Sequence, residues 1–250
     1  MKIISVLIKL PILKRLLPSL IRRILILLKI EFFNIKFKNL ILETNIYDPH
    51  DREIFFSQKY EEKQFNELFN IISQHNIKIF FDIGANSGIY SLILSHRFKD
   101  LIIEAFEPIL PTYKKFLRNI EKNKLVGKIN TYNIGLSNQN KILKMQTNVK
   151  FGYNQSAGYY VSESGDQKAE FKSADEIFNY KNRNILIKID TEGHEKFALK
   201  GMKNLIKNNN TFLQIEIWEK NYDNVKKIID GYDLVFLKKI DSDYYFKKIN

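Results

Sequence analysis

The sequence predicts an α/β fold: a mostly parallel sheet with helices on both faces and an antiparallel strand pair at the C-terminal end. Three observations carry that prediction. From residue 78 onward, short β-rich apolar runs alternate with amphipathic segments of helical length. Several of those runs end in acids and glycines, as strands do where an open sheet meets a ligand. The final two runs, YDLVFLKKI and YYFKKI, are separated only by the turn-forming DSD, so they pair antiparallel.

Residues 1–30 form a basic segment of their own. Nine Lys/Arg against the single Glu31 place two thirds of the net charge of +12 within residues 1–40. On a helical wheel Lys14, Arg15, Pro18, Arg22, Arg23 and Lys29 share one half. Leu13, Leu16, Leu17, Leu20, Ile21, Ile24, Leu27 and Leu28 fill the other. No uncharged run approaches the roughly 20 residues of a spanning helix, and no small-residue cleavage site follows the apolar stretch. The segment reads either as an in-plane helix on an anionic membrane surface or as a cap packed on the domain itself. Pro11 and Pro18 leave open one helix or two.

Residues 31–75 lead into the core. Phe33, Ile35 and Phe37 alternate with polar positions in FFNIKFKNLILETN, a small hairpin, and EEKQFNELFNIIS has Phe65, Leu68, Phe69 and Ile72 on one helical face. Residues 76–250 then hold the alternating pattern: IKIFFDIG, IYSLILSHRF, LIIEAFEP, TYKKFLRNIEKN, KINTYNIG, ILIKID, a helix over about 194–207, FLQIEIWE and a helix near 221–230. Residues 138–182, rich in Gly, Ser, Asn and Tyr, read as an insertion or long loop between core strands, of the kind that carries substrate contacts.

Composition removes some chemistries. The 250-residue chain has no cysteine, which excludes disulfides, thiolate metal sites and a cysteine nucleophile. His50, His75 and His96 are too scattered for a zinc site of the HExxH kind. Beyond residue 40 the remaining +4 is unremarkable, so bulk charge does not argue for nucleic acid.

The strand IKIFFDIG runs into DIGANSG, with Asp82, Gly84, Ala85, Asn86 and Gly88. Glycines there allow a tight strand-to-helix turn and close approach of a ligand. The next strand ends at Glu107, about 20 residues beyond the turn, where a carboxylate accepts both hydroxyls of a ribose. Together they fit an adenosine cofactor. Asn86 stands where a dinucleotide turn admits a pyrophosphate, and Asp82 suits a cationic amino-acid end, so S-adenosylmethionine is favoured over a dinucleotide.

At this point the sequence resembles the FkbM-type S-adenosylmethionine-dependent methyltransferases. The residues that carry the likeness are FDIGANSGIYSL, AFEP, FLRNIEKNK, NIGLSN, IKIDTEGHE and LQIEIWE, spread over about residues 79–217. The resemblance implies a Rossmann-like class I methyltransferase sheet of about seven strands, with S-adenosylmethionine as methyl donor. It implies that Asp82, Gly84, Ala85, Asn86 and Gly88 form the cofactor turn, that Glu107 holds the ribose, and that Gly135 and Leu136 flank the adenine. It also implies an oxygen acceptor on a sugar, polyketide or similar metabolite. The first 75 residues and the 148–172 region have no counterpart in it.

Within IKIDTEGHE, Asp190 ends a strand and faces the cofactor's reactive end. Asp190 and His194 are the candidates for base and orienter, and Glu192 for a substrate contact. Thr191 reads as a helix N-cap with Glu195 in the first turn. Glu216, in the apolar run LQIEIWE, is expected to face the same pocket, because a carboxylate buried without partners is costly. A magnesium ion held by Asp190, Glu192 and Glu216 is the less favoured reading.

The expected function is therefore O-methylation of a hydroxyl on a small molecule, glycan or glycolipid precursor. The expected place is the cytoplasm, with residues 1–30 offering attachment to the inner face of an anionic membrane. Two other readings stand beside it: a nucleic-acid methyltransferase, and a non-catalytic membrane-docking adaptor with a relic cofactor fold. Against nucleic acid, the chain has DTEG where base-methylating enzymes place an Asn/Asp-Pro-Pro-aromatic element.

Overall fold

The computed structural model describes the backbone of residues 11–150 and 153–249, and side chains over 18–147 and 158–249. The expectations for residues 1–10 and the side chain of Tyr153 lie outside the described residues.

In chain order the strands are β1 (Phe32–Phe37), β2 (Leu40–Asn45), β3 (Ile79–Ile83), β4 (Ile102–Phe106), β5 (Asn130–Tyr132), β6 (Gly135–Leu136), β7 (Lys141–Lys150), β8 (Tyr153–Val161), β9 (Gln167–Lys172), β10 (Asn184–Ile189), β11 (Asn210–Glu216), β12 (Leu234–Ile240) and β13 (Asp243–Lys248). The helices are α1 (Pro11–Leu27), α2 (Pro49–Ser57), α3 (Glu62–Gln74), α4 (Ile89–Arg97), α5 (Leu110–Lys122), α6 (Ala174–Ile177), α7 (Glu195–Lys200), α8 (Lys203–Lys207) and α9 (Tyr222–Asp230). Seven strands form the central sheet in the order β12-β13-β11-β10-β3-β4-β5, parallel except for β13, which runs antiparallel to both β11 and β12.

Strands β3 and β10 are buried on both faces because helices cover both, with Asp82 and Lys188 the charged residues among otherwise apolar positions near their carboxyl ends. One layer holds Phe65, Leu68 and Ile72 of α3 with Leu92 of α4 and Phe116 of α5; the other holds Ile187, Ala198, Leu205, Ile215 and Ile229. Residues Ile35, Phe37, Leu40 and Leu42 of the predicted hairpin join the first layer. A β1–β2 ribbon alone would be marginal. Here it is tied to α5 by Asn119 and Asn123, whose Oδ1 atoms accept the backbone N–H groups of Glu43 and Ile41, each at 2.8 Å.

Four sequence expectations are corrected. Of the two readings of 138–182, the insertion holds and the long loop does not: β7, β8 and β9 form a sheet with β6 in the order β6-β9-β7-β8. Its polar composition hid the period-two burial of β9, where Ala169 and Phe171 point inward. The run KINTYNIG is two strands in two sheets, β5 in the central one and β6 in the smaller. The helix over 194–207 is two short helices separated at Gly201 and Met202; a Cβ at Gly201 would lie 1.8 Å from the Ser137 carbonyl oxygen, so the chain bends there around a tight backbone contact. Helix α2 was not foreseen at all, although Asp48 caps it and Pro49 opens it.

Candidate active site

The site sits at the carboxyl ends of β3, β4, β10 and β11, where an open α/β sheet binds its ligands. Two backbone segments meet there. Gly84, at φ 82°, passes so close to β10 that a Cβ would fall 1.8 Å from the Asp190 carbonyl oxygen, and the Asp190 N–H donates to the Ile83 carbonyl at 3.0 Å. Gly88, at φ 85°, opens α4 with its Cα against the Phe116 ring. Both positions therefore admit only glycine, for conformation and for space.

An apolar cleft lies on the β4 side of this turn. Glu107, 7 % exposed, sits at its end, with Oε2 accepting the Asn86 N–H at 3.0 Å and Oε1 the Ile109 N–H at 2.8 Å. Each oxygen keeps lone-pair capacity for a further donor. Burial pushes this carboxyl up to about 7. The rest of the cleft is lined by Gly135 and Leu136 and by Met145, Tyr159 and Phe171 of the smaller sheet. The β7–β9 region, expected to touch substrate, thus walls the same cleft as Glu107. The competing acid Glu104 is consumed elsewhere, accepting the hydroxyls of Tyr132 and Tyr180 at 2.9 and 3.0 Å.

On the other side of the turn is a polar cavity of about 280 Å³. Asp82, Asp190, Glu192 and Glu216 all line it, together with Asp243, Glu61, Tyr60 and Tyr90. Asp82 is fully buried, with Oδ2 accepting Ser91 Oγ at 2.6 Å while Oδ1 has no partner. Glu192 has a left-handed backbone at φ 52°. Burial, and then the Asp190 carboxylate, push Glu192 up to about 7 and Glu216 to about 8.

The sequence reading missed the cation at the centre. Lys188, 4 % exposed, donates to Asp190 Oδ2 at 3.0 Å and lies over the Tyr90 ring at 4.6 Å. Its pKa is shifted by burial, which lowers it, and more strongly in sum by Asp190, Asp82, Glu61 and Asp243, so the net direction is upward. A signal was available: a lysine inside the apolar run ILIKID needs carboxylate partners as much as Glu216 does. Among the described residues, no three acids or histidines converge closely enough to hold a metal ion.

His194 is not in this cavity. It lines the apolar cleft, with Nε2 3.0 Å from Ser137 Oγ and its ring stacked on Phe197 at 4.8 Å. Burial, and then Lys141 and Lys196, pull its pKa down to about 4, so the ring is neutral near pH 7. It shares the apolar cleft with Asp190, Glu192 and Glu107 but does not reach the polar cavity where Asp82, Glu216 and Asp243 lie. Thr191 is not the N-cap; its hydroxyl and the Gly193 N–H both donate to Glu195 Oε1, at 3.2 and 2.7 Å.

Residues 82–238 match the methyltransferase FkbM domain, well over half of the chain. The chain belongs to the FkbM methyltransferase family. A curated relative, Methyltransferase 1 of Beauveria bassiana (strain ARSEF 2860), is 25% identical over 60% of this chain and 65% of its own length, so this FkbM chain spans just under two thirds of that protein. Solved structures with related folds include a human methyltransferase 10 domain containing protein (TM-score 0.49, 10% identity, 92% of this chain and 95% of that one). M. jannaschii TYW2 in complex with AdoMet is another (TM-score 0.42, 10% identity, 88% and 87%). A third is the StiE O-MT, residues 961–1257 (TM-score 0.46, 12% identity, 77% and 57%). The site of the FkbM chain has two halves, a carboxylate-ended apolar cleft and, beside it, a glycine turn with the unpartnered Asp82 Oδ1.

Proposed function

We propose that this methyltransferase acts on a hydroxyl of a sugar, glycan or glycolipid precursor, at a membrane surface. The observation that supports O-transfer most is Asp190. It ends β10 beside the glycine turn, lines both the cleft and the polar cavity, and is held by the buried Lys188.

S-adenosylmethionine, when bound, supplies an electrophilic methyl group whose bond to sulfur breaks as the bond to the acceptor oxygen forms. The protein's part is to hold the hydroxyl in line and take its proton. Asp190 is the proton acceptor in this reading, because it lines both cavities and Lys188 engages only its Oδ2. Glu192 and Glu216, near neutrality, are able to donate to or accept from neighbouring hydroxyls. Orientation of this kind supplies roughly 7–11 kcal/mol of a barrier, and a positioned base a further factor of about 10²–10⁴.

Support for the membrane surface comes from α1. Leu20, Ile24 and Leu27 of its apolar side face outward, beside the exposed Arg23, and Leu28, Lys29 and Phe32 continue the exposed patch. A helix that capped the domain would bury that side. No helix among the described residues is long and apolar enough to cross a membrane.

The test of the chemistry is Asp190→Asn. With S-adenosylhomocysteine binding unchanged by calorimetry, kcat on the acceptor should fall by about 10²–10⁴. Full turnover by that variant would remove Asp190 from the reaction centre. Nucleic-acid methylation predicts acceptor binding that falls linearly with log salt at a slope of several; the hydroxyl reading predicts a flat response.

A further inference from the structure

The polar cavity has a wall that lies outside the matched methyltransferase domain. Tyr60, Glu61 and Gln64, at the start of α3, line it opposite Glu192 and Glu216, with the exposed His50 of α2 beside them. Glu61 is anchored to the domain: its Oε2 accepts the Tyr90 hydroxyl, and Lys188 is close enough to act on its charge. Gln64 donates to Asp243 at 3.4 Å, and Gln214 donates to the same carboxylate at 2.9 Å.

Six carboxyl groups, those of Glu61, Asp82, Asp190, Glu192, Glu216 and Asp243, therefore line one space. Among the described residues the single Lys/Arg lining it is Lys188, whose ammonium is already bonded to Asp190. Burial is the largest upward influence on Glu61, Asp82, Glu192, Glu216 and Asp243, and Asp190 adds a further upward push on each. The cavity is thus short of positive charge before any acceptor enters. Asp82, read above as the partner of the donor's cationic end, is almost fully buried with Oδ1 unpartnered, so the acceptor meets the other five carboxyl groups.

A phosphate carries about −1.5 to −2 charges at neutral pH and needs Arg, Lys or backbone donors. Lys188, the one Lys or Arg among the described residues on the cavity's polar wall, is already engaged by Asp190. A neutral hydroxyl both donates and accepts, so it satisfies ionised and protonated carboxyls alike. An ammonium would be attracted outright.

We infer that this cavity takes a hydroxyl acceptor whose entering end is uncharged or cationic, a neutral or amino-bearing sugar, and that Glu61, from outside the matched domain, helps turn anionic acceptors away. The inference rests on the methyl transfer proposed above and names its acceptor class. Specificity of this kind comes from repelling the wrong partner as much as from holding the right one.

The test incubates the full chain with S-adenosylmethionine labelled in the methyl group and a mixture of neutral sugars, amino sugars, uronic acids and sugar phosphates. The products are then separated by cation and anion exchange. Label is expected in the unretained and cation-bound fractions. Label chiefly in the anion-bound fraction overturns the inference. So does the absence of label in every fraction while S-adenosylhomocysteine still binds by calorimetry. Loss of S-adenosylhomocysteine binding would instead overturn the reading beneath it. Glu61→Gln should lower KM for uronic acids and sugar phosphates about tenfold relative to KM for the labelled acceptor, with S-adenosylhomocysteine affinity unchanged, and an unchanged ratio would remove Glu61 from the discrimination.

Discussion

Glu107 shows how one side chain is set for a ligand before the ligand arrives. It is buried at the end of β4, and two backbone N–H groups orient its oxygens. Glu107→Ala should weaken S-adenosylhomocysteine binding about 10–100-fold, the worth of hydrogen bonds to a charged group, as read by calorimetry. Its ionisation carries a second consequence. A carboxyl raised from 4.5 to about 7 in the folded protein binds more protons there than in the unfolded chain between those values, so its contribution to stability is lost as pH rises through that window. Melting temperatures of Glu107→Gln relative to the parent should therefore be higher at about pH 8 than at about pH 5. His194 runs the other way. Lowered from 6.5 to about 4, it contributes stability that is present above the unfolded value and lost as pH falls toward 4.

At the scale of elements, the ribbon β1–β2 and helix α2 are held to α5 by buried polar contacts. Lys115 of α5 lies 2.5 Å from Asp51 of α2, and both side chains are below 10 % exposure. Burial raises the Asp51 carboxyl more than Lys115 lowers it, so the pair holds position without being a large source of stability. Removing one partner is a different matter, because it strands the other. Lys115→Ala should cost about 3–5 kcal/mol in denaturant unfolding. Since α2 leads through Tyr60 into the cavity wall, the same variant should raise KM for acceptor. The periodicity of α3 and the alternation of β1 made these elements readable along the chain. Their partner was not readable, because Asn119 and Lys115 look in sequence like solvent-facing residues of an amphipathic helix.

For the whole molecule, the arrangement of charge matters more than its sum. The chain carries +12, yet the cavity is crowded with carboxyl groups and the basic excess gathers toward the N-terminal helix. Flotation with anionic vesicles should carry the full chain at low salt and release it as salt rises, while neutral vesicles should retain little. Ile24→Asp combined with Leu27→Asp should abolish flotation and leave S-adenosylhomocysteine binding intact. Unchanged flotation by that variant would remove α1 from the lipid contact.

What the sequence by itself determined is the alternation of strands and helices in the central sheet, the glycine turn after β3 and the acids at strand ends. These follow from local rules: periodicity, glycine conformation, and the cost of a carboxylate in an apolar run. Asp82, Gly84, Gly88, Glu107 and Glu216 were named on that basis, Asp190 and Glu192 on the strand end together with the family resemblance, and the structure brings every one of them to the carboxyl end of the sheet. Only the tertiary structure decided that His194 turns into the apolar cleft, that Lys188 occupies the middle of the carboxylates, and that Glu61 arrives from more than a hundred residues away to complete the wall. The reason is physical. A strand's period of two says which residues share a face, but the charge a buried group meets is set by whichever distant segment is packed against it, and no local rule carries that.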